Sequence, residues 1–376
     1  MAQDLIQRVK FAPRAAKDGF AKTLNKRVNA YFKEKGISKY ADARMYLKSI
    51  IIVSGYIVPL VLMLTGVITS TPAIIASWML MGVATAGIGM SVMHDANHGS
   101  YSDINWVNKA VGYLVNLVGG SAENWKIQHN ILHHTYTNID GLDADTVTFP
   151  MLRFSPFAKR RAVHKFQHIY GWFFYGLMTV SWVFMKDFKQ LVDYKNSGMT
   201  TNYDTGFGLI ILRIFLFKAA YLFVTLALPI YILPLPWYGT LGCFFMMHFI
   251  GGLILGMVFQ SAHIMEICEF SKPNEEGKMK DEWAVHQLRT TTDFAPNNKL
   301  VTWFVGGLNF QVVHHLFPKV SHVHYPDLAP IVAQTAKDFD LPYHCIPTFT
   351  QAVLGHGKML RALGREDIPS SMMVLT

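Results

Sequence analysis

Two long stretches of this 376-residue chain, 49–94 and 219–265, contain no Asp, Glu, Lys or Arg. Over the whole chain only 16% of residues are charged and 51% are hydrophobic, whereas soluble domains carry roughly 25% charged residues. That scarcity excludes an ordinary soluble domain. A helix needs about 20 apolar residues to cross a bilayer, so each charge-free stretch holds two spans and a tight turn. Cysteine is scarce too. Cys243, Cys268 and Cys345 show no CxxC spacing, which excludes a disulfide framework and an iron–sulfur site. No apolar run precedes residue 49, so the N-terminus does not read as a signal peptide. No internal repeat or low-complexity tract is present. Basic residues outnumber acidic ones, 34 to 25, but they flank the apolar runs and form no nucleic-acid-binding motif. Such a surplus suits anionic lipid headgroups, and no nucleic-acid partner is expected.

The apolar pattern predicts an all-α integral membrane protein with four spans in two hairpins, at about 49–68, 73–93, 207–233 and 240–262. Arg213 and Lys218 fall inside the third span, where long stems are expected to snorkel, although Lys218 lies unusually deep. The turns between paired spans carry no basic residue, while residues 1–48 carry many. This predicts that both termini and the charged segments 94–204 and 263–376 face the cytoplasm. The expected organisation is a basic N-terminal segment (1–48), a membrane domain with a helical cap (49–345) and a C-terminal tail (346–376). The aromatic-rich stretch 169–185 and the shorter 106–120 are read as interfacial helices, which keeps all the histidine clusters on one side.

Seven of the sixteen histidines gather in three clusters. They are His94 and His98 in HDANH, His129, His133 and His134 in HNILHH, and His314 and His315 in QVVHH. On an α-helix positions i and i+4 share a face, so His94/His98 and His129/His133 can each offer two imidazoles to one point. Leaving that many imidazoles unpaired at the edge of hydrocarbon is costly, and a shared metal site accounts for them. Imidazole suits iron, zinc and copper alike, and so many ligands exceed one tetrahedral ion, so two metals are expected. Spacing alone does not choose iron. Asp95, Asp143 and Asp145 lie beside the clusters and are candidates to orient the ligating rings.

In this order and around two apolar hairpins, HDANH, HNILHH and QVVHH resemble the three histidine boxes of the membrane fatty-acid desaturases. The resemblance covers about residues 50–345. The flanking words HDANHGSYS, NWKIQHNILHHTYTN, EWAVHQLRTTTDF and NFQVVHHLFP are similar to the front-end branch, which includes bacterial linoleoyl-CoA desaturases. It implies a cytoplasmic cap holding two non-haem irons, with O2 as co-substrate and an acyl-CoA or acyl-lipid as substrate. By position it implies a further metal-binding histidine at His263. Gln311 stands where that branch has glutamine, and its carbonyl can bind a metal directly or through water. No HPGG haem motif of a fused cytochrome b5 domain occurs. The electrons are therefore expected from an external donor, a ferredoxin or a free cytochrome b5 with its reductase. A bacterial inner membrane is the expected location.

Other histidines read differently. His248 lies too far along the fourth span to share a site with His263 and is expected to be a hydrogen-bonded core residue. His286 is open between ligand, orienting group and surface residue. His164 and His168 sit among basic residues and read as part of a membrane-surface helix, while His322 and His324 are a minor alternative near the third box. The run LRFSPFAKRRAVHK (152–165) reads as a positive flank that can also hold a CoA phosphate or a lipid headgroup. Two other functions stay open on the residues: a hydroxylase, ketolase or acetylenase on the same scaffold, and a non-enzymatic haem or metal-binding membrane protein.

Overall fold

A computed structural model describes residues 9–13, 19–146, 150–200 and 206–375. The basic N-terminal segment is thus described only in part, and expectations on 147–149 and 201–205 also lie outside the described residues. In chain order the principal helices are α1 (Phe20–Lys35), α2 (Ala43–Leu64), α3 (Thr71–His98), α4 (residues 122–136), α5 (Gln167–Gly176) and α6 (Asp187–Asn196). They continue with α7 (Phe207–Ile232), α8 (Trp237–His263), α9 (Trp283–Thr290), α10 (Gln311–Leu316), α11 (Tyr325–Asp338) and α12 (Phe349–Arg365). Four short strands are β1 (Phe270–Lys272), β2 (Asp293–Phe294), β3 (Cys345–Ile346) and β4 (Met373–Leu375), pairing in parallel as β1–β4 and β2–β3. The fold is helical, as expected, and α2, α3, α7 and α8 are long and apolar enough to span a membrane.

Two boundaries move for local reasons. Helix α2 begins at Ala43, before the apolar run, because the Asp42 side chain caps it by accepting from the Arg44 N–H. It stops at Leu64, where the chain turns through Gly66 at φ +73°. Helix α3 starts at Thr71 with Pro72 in its first turn and continues through the first histidine box to His98.

The chain forms two compact units, each described separately. The first, the membrane unit, comprises residues 42–126 and 172–257. Its core is apolar, with Tyr56, Met63, Ile74, Trp78, Met81 and Met247 fully enclosed. Helices approach closely where side chains are smallest. A Cβ on Gly82 of α3 would lie 2.6 Å from the Met247 carbonyl oxygen of α8, and one on Gly252 would lie 2.6 Å from the Tyr175 carbonyl oxygen. Small residues permit such contact inside a membrane, where packing rather than hydrophobicity holds helices together. Lys218 does not snorkel. It is only 4% exposed, and its Nζ donates to Asp187 Oδ2 at 2.7 Å and to the Gly119 and Trp182 carbonyls at 2.9 and 2.6 Å. Three acceptors satisfy three protons, which is how a buried ammonium is tolerated.

The second, the histidine unit, comprises residues up to Ala41, 127–171 and 258–376, and so includes the last turns of α8. Phe20, Ala21, Leu24 and Val28 recur along one face of α1 and pack with Leu288 of α9, Val312 and Val313 of α10, and Leu328 and Val332 of α11. Burying each of the Phe, Leu and Val side chains fully contributes about 2 kcal/mol. Asn138 adopts φ +55°, and its side-chain amide donates to the His263, Glu269 and Thr290 carbonyls at 3.0, 3.3 and 3.4 Å. One short side chain in the left-handed region, which Asn tolerates, thus gathers three segments. The region beyond residue 345 is folded into this unit. Strand β4 pairs with β1, and His356 Nδ1 of α12 lies 2.9 Å from the Ile264 carbonyl oxygen.

Candidate metal centre

The second box lies on a helix of unusual pitch. Residues Lys126–His133 of α4 are π-helical, so the backbone bonds run from i to i+5. An α-helix would bring only His133 over His129. The wider turn brings both neighbours: the His129 ring centroid is 5.3 Å from that of His133 and 4.7 Å from that of His134. The His129 and His134 Nε2 atoms are 3.2 Å apart. The 100° divergence of adjacent side chains on an α-helix therefore does not describe this box.

Three imidazoles from three segments meet next to it. His133 of α4, His263 at the end of α8 and His315 of α10 have ring centroids 4.6, 4.8 and 4.9 Å apart, and each offers a ligand atom within 4.8 Å of the others. All three are buried. Two of them are held at one ring nitrogen. His133 Nδ1 lies 3.1 Å from Asp143 Oδ1 and 3.5 Å from Asp145 Oδ2, and His315 Nδ1 lies 2.8 Å from Gln287 Oε1. His133 Nε2 is buried and, among the described residues, finds no hydrogen-bond partner. An orphaned buried nitrogen costs about 1–3 kcal/mol, and a metal bound there would offset it. Fixing one imidazole nitrogen on a carboxylate or amide while the other faces inward is the arrangement of metal-ligating histidines. The residues present fit a metal. Burial disfavours charge on His133, but Asp143 and Asp145 outweigh it and raise its pKa overall.

A second group, His134, His314 and His315, also offers ligand atoms within 4.8 Å of one another. His314 Nδ1 lies 3.2 Å from the Tyr325 hydroxyl, and its ring stacks 5.8 Å from that of His129. His129, His133 and Asp145 form a third. Helix α10 is aimed by Asp293 of β2, whose Oδ1 accepts from the Val312 N–H at 2.9 Å while Tyr343 donates its hydroxyl to Oδ2. A carboxylate at an orphan N–H in the first turn acts as a cap supplied from a distant part of the chain.

The remaining expected residues are placed as follows. His94 and His98 end α3 in the membrane unit, with ring centroids 4.7 Å apart and 5.5 and 5.6 Å from the Trp125 ring. Asp95, between them in sequence, is buried, and its carbonyl accepts from the Ser100 N–H and hydroxyl at 2.9 and 3.0 Å. Asp143 and Asp145 both meet His133, and Gln128 donates to Asp145. The Gln311 amide lies 2.9 Å from His263 Nε2. His248 is a core residue bonded to Tyr221 and Thr179. His286 Nε2 bonds the Thr137 carbonyl at 2.8 Å, and burial pushes its pKa down to about 4. Sequence reasoning missed Gln287, Tyr325 and Asp293. The only signal for Gln287 was its place beside His286 in a motif word, because the histidine it meets is 28 residues away.

The fatty acid desaturase profile matches residues 70–347, and the chain belongs to that family. It is 36% identical over 353 residues to the sn-1 linoleoyl-lipid 6-desaturase of Arthrospira platensis, covering 92% of both chains. It is 34% identical over 363 residues to the protein of that name from Synechocystis, covering 96% of this chain and 98% of the relative. With the acyl-lipid (8-3)-desaturase of Physcomitrium patens it shares 36% over 361 residues, covering 93% and 72%. The protein is a membrane enzyme that desaturates fatty acids.

Proposed function

We propose that this enzyme is an O2-dependent front-end desaturase acting on lipid-linked acyl chains at a di-iron centre. The observation that carries the reading is the His133–His263–His315 triad, in which Asp143 holds one nitrogen of His133 and Gln287 one of His315. The proposed ligands are His94, His98, His129, His133, His134, His263, His314 and His315, with Gln311 joining directly or through water. Two bound irons would supply O2 activation and the removal of two hydrogens from an unactivated chain. Asp143 and Asp145 hold His133 in one tautomer, Gln287 and Tyr325 do so for His315 and His314, and Asp95 serves the first box. The buried surroundings keep bulk water from the reacting chain.

Lipid-linked acyl groups are favoured over acyl-CoA because the two cyanobacterial relatives are named for linoleoyl-lipid. Electrons come from a ferredoxin or a free cytochrome b5 with its reductase. The site and both termini face the cytoplasm, in a bacterial inner membrane, with 1–48 as a basic segment, 49–345 as the desaturase domain and 346–376 as a C-terminal segment. The test is expression in a host without such enzymes, feeding with saturated and unsaturated fatty acids, and mass spectrometry of the lipids. Products lacking two hydrogens support desaturation. Products gaining one oxygen would show a hydroxylase instead.

A further inference from the structure

The histidine unit carries a surface that the metal chemistry does not use. Two segments build it: residues 153–169, leading into α5, and α12. They are joined by three polar contacts, two of them buried. Arg153 donates to the Leu363 carbonyl at 2.7 Å, Arg160 to the Gly364 carbonyl at 2.8 Å, and Gln167 to the Leu360 carbonyl at 2.8 Å. A Cβ on Gly364 would lie 2.0 Å from the His164 carbonyl oxygen, so only glycine permits this approach. The surface is therefore a rigid composite of both segments.

Six exposed cations stand on it: Lys159, Arg161, Lys165, Lys358, Arg361 and Arg365. Among the described residues none of the six has an acidic partner at salt-bridge distance, and the nearby Glu366 turns to Arg153 at 3.7 Å. Asp367 is the other acid close by in sequence. His168 records the crowding: burial and then Arg365 and Arg361 hold its pKa below the ordinary value. Large apolar side chains share the surface. Leu354 (61% exposed) is in line with Lys358, Arg361 and Arg365 on one stripe of α12, at i, i+4, i+7 and i+11. Phe166 (52%) and Ile169 (66%) flank Lys165.

We propose that this face is a docking site for anionic phospholipid headgroups, with Phe166, Ile169 and Leu354 entering the acyl boundary between the cations. Cations interleaved with exposed apolar side chains on amphipathic helices are the signature of a surface lying at headgroup depth. A cluster of four to eight Lys and Arg is the electrostatic counterpart of anionic lipid. The same chain carries four helices long and apolar enough to cross a bilayer. Free phosphate would use the charges but would leave three large apolar side chains in water.

The test uses the full-length protein reconstituted in nanodiscs of equal phosphatidylcholine and phosphatidylglycerol, extracted mildly, with the retained lipids counted by native mass spectrometry. Phosphatidylglycerol should be retained severalfold over phosphatidylcholine. The preference should fade as salt rises, and it should vanish in K165Q/R361Q/R365Q. F166S/I169S should lower total retention while leaving part of the charge preference. Equal retention of the two lipids, or a preference insensitive to salt, overturns the proposal with the wild-type protein alone. It is also overturned if inorganic phosphate abolishes the preference at constant ionic strength, or if the charge variant keeps its lipids and loses an acidic redox protein instead.

Discussion

Gln287 Oε1 lies 2.8 Å from His315 Nδ1 and also accepts from the Thr137 hydroxyl at 3.0 Å, so one neutral amide fixes a ring of the third box and ties it to the second. The bond sets the tautomer that turns His315 Nε2 inward. Replacing Gln287 by Leu should lower iron content and turnover by about 10–100-fold, the usual cost of losing an orienting partner. Metal analysis beside a single-turnover assay measures both. Glu at this position, which keeps an acceptor, should recover a large part.

Asp143 does for His133 what Gln287 does for His315, and it also accepts from the Asn138 N–H at 2.9 Å. D143A should therefore cost more than D143N, because the alanine also strands that buried N–H. The expected fall in iron affinity is about 10–100-fold, read by titration with a competing chelator. An Asp143→Ala enzyme with full iron and full turnover would refute the assignment.

Gln311 separates a metal role from a packing role. Q311H supplies another imidazole at the same place and should keep measurable turnover. Q311A should abolish it while the protein still purifies as a folded membrane enzyme. Full activity in Q311A would leave the amide with only its contact to His263.

Asp293 offers a pH signature. Burial pushes its pKa up to about 7, against opposing bonds from Tyr343 and Val312. A carboxyl with a folded value above its unfolded value, near 3.9, contributes stability that is full below the unfolded value. That contribution is lost as pH rises through about 7. The melting temperature in detergent should thus contain a component that falls over this window, and D293N should remove it. Parallel profiles for the two proteins would exclude the effect.

The buried Lys218–Asp187 pair gives a stability test away from the metal. K218M leaves Asp187 unpaired in a dry site and should destabilise by about 3–5 kcal/mol, whereas K218M/D187L should recover most of that loss. Thermal unfolding of the wild type, K218M, D187L and K218M/D187L, combined as a double-mutant cycle, measures it.

The sequence by itself determined the four apolar helices, because a bilayer imposes length and freedom from charge on every span and both are local properties. It also determined which histidines cluster, since each box is contiguous. The pitch of α4 was not legible: His129, His133 and His134 read as an α-helical pattern, and the π-turn that brings all three together depends on the packing around them. Lys218 shows the same limit. Its depth was visible, but Asp187, 31 residues away, was not an obvious partner. Only the tertiary structure decided that His133, His263 and His315 converge, that Gln287 holds His315 and Tyr325 meets His314, and that Asp293 aims the helix carrying the third box. Those bonds join residues far apart in the chain, and buried polar groups find partners by proximity in space, of which a single sequence carries no record.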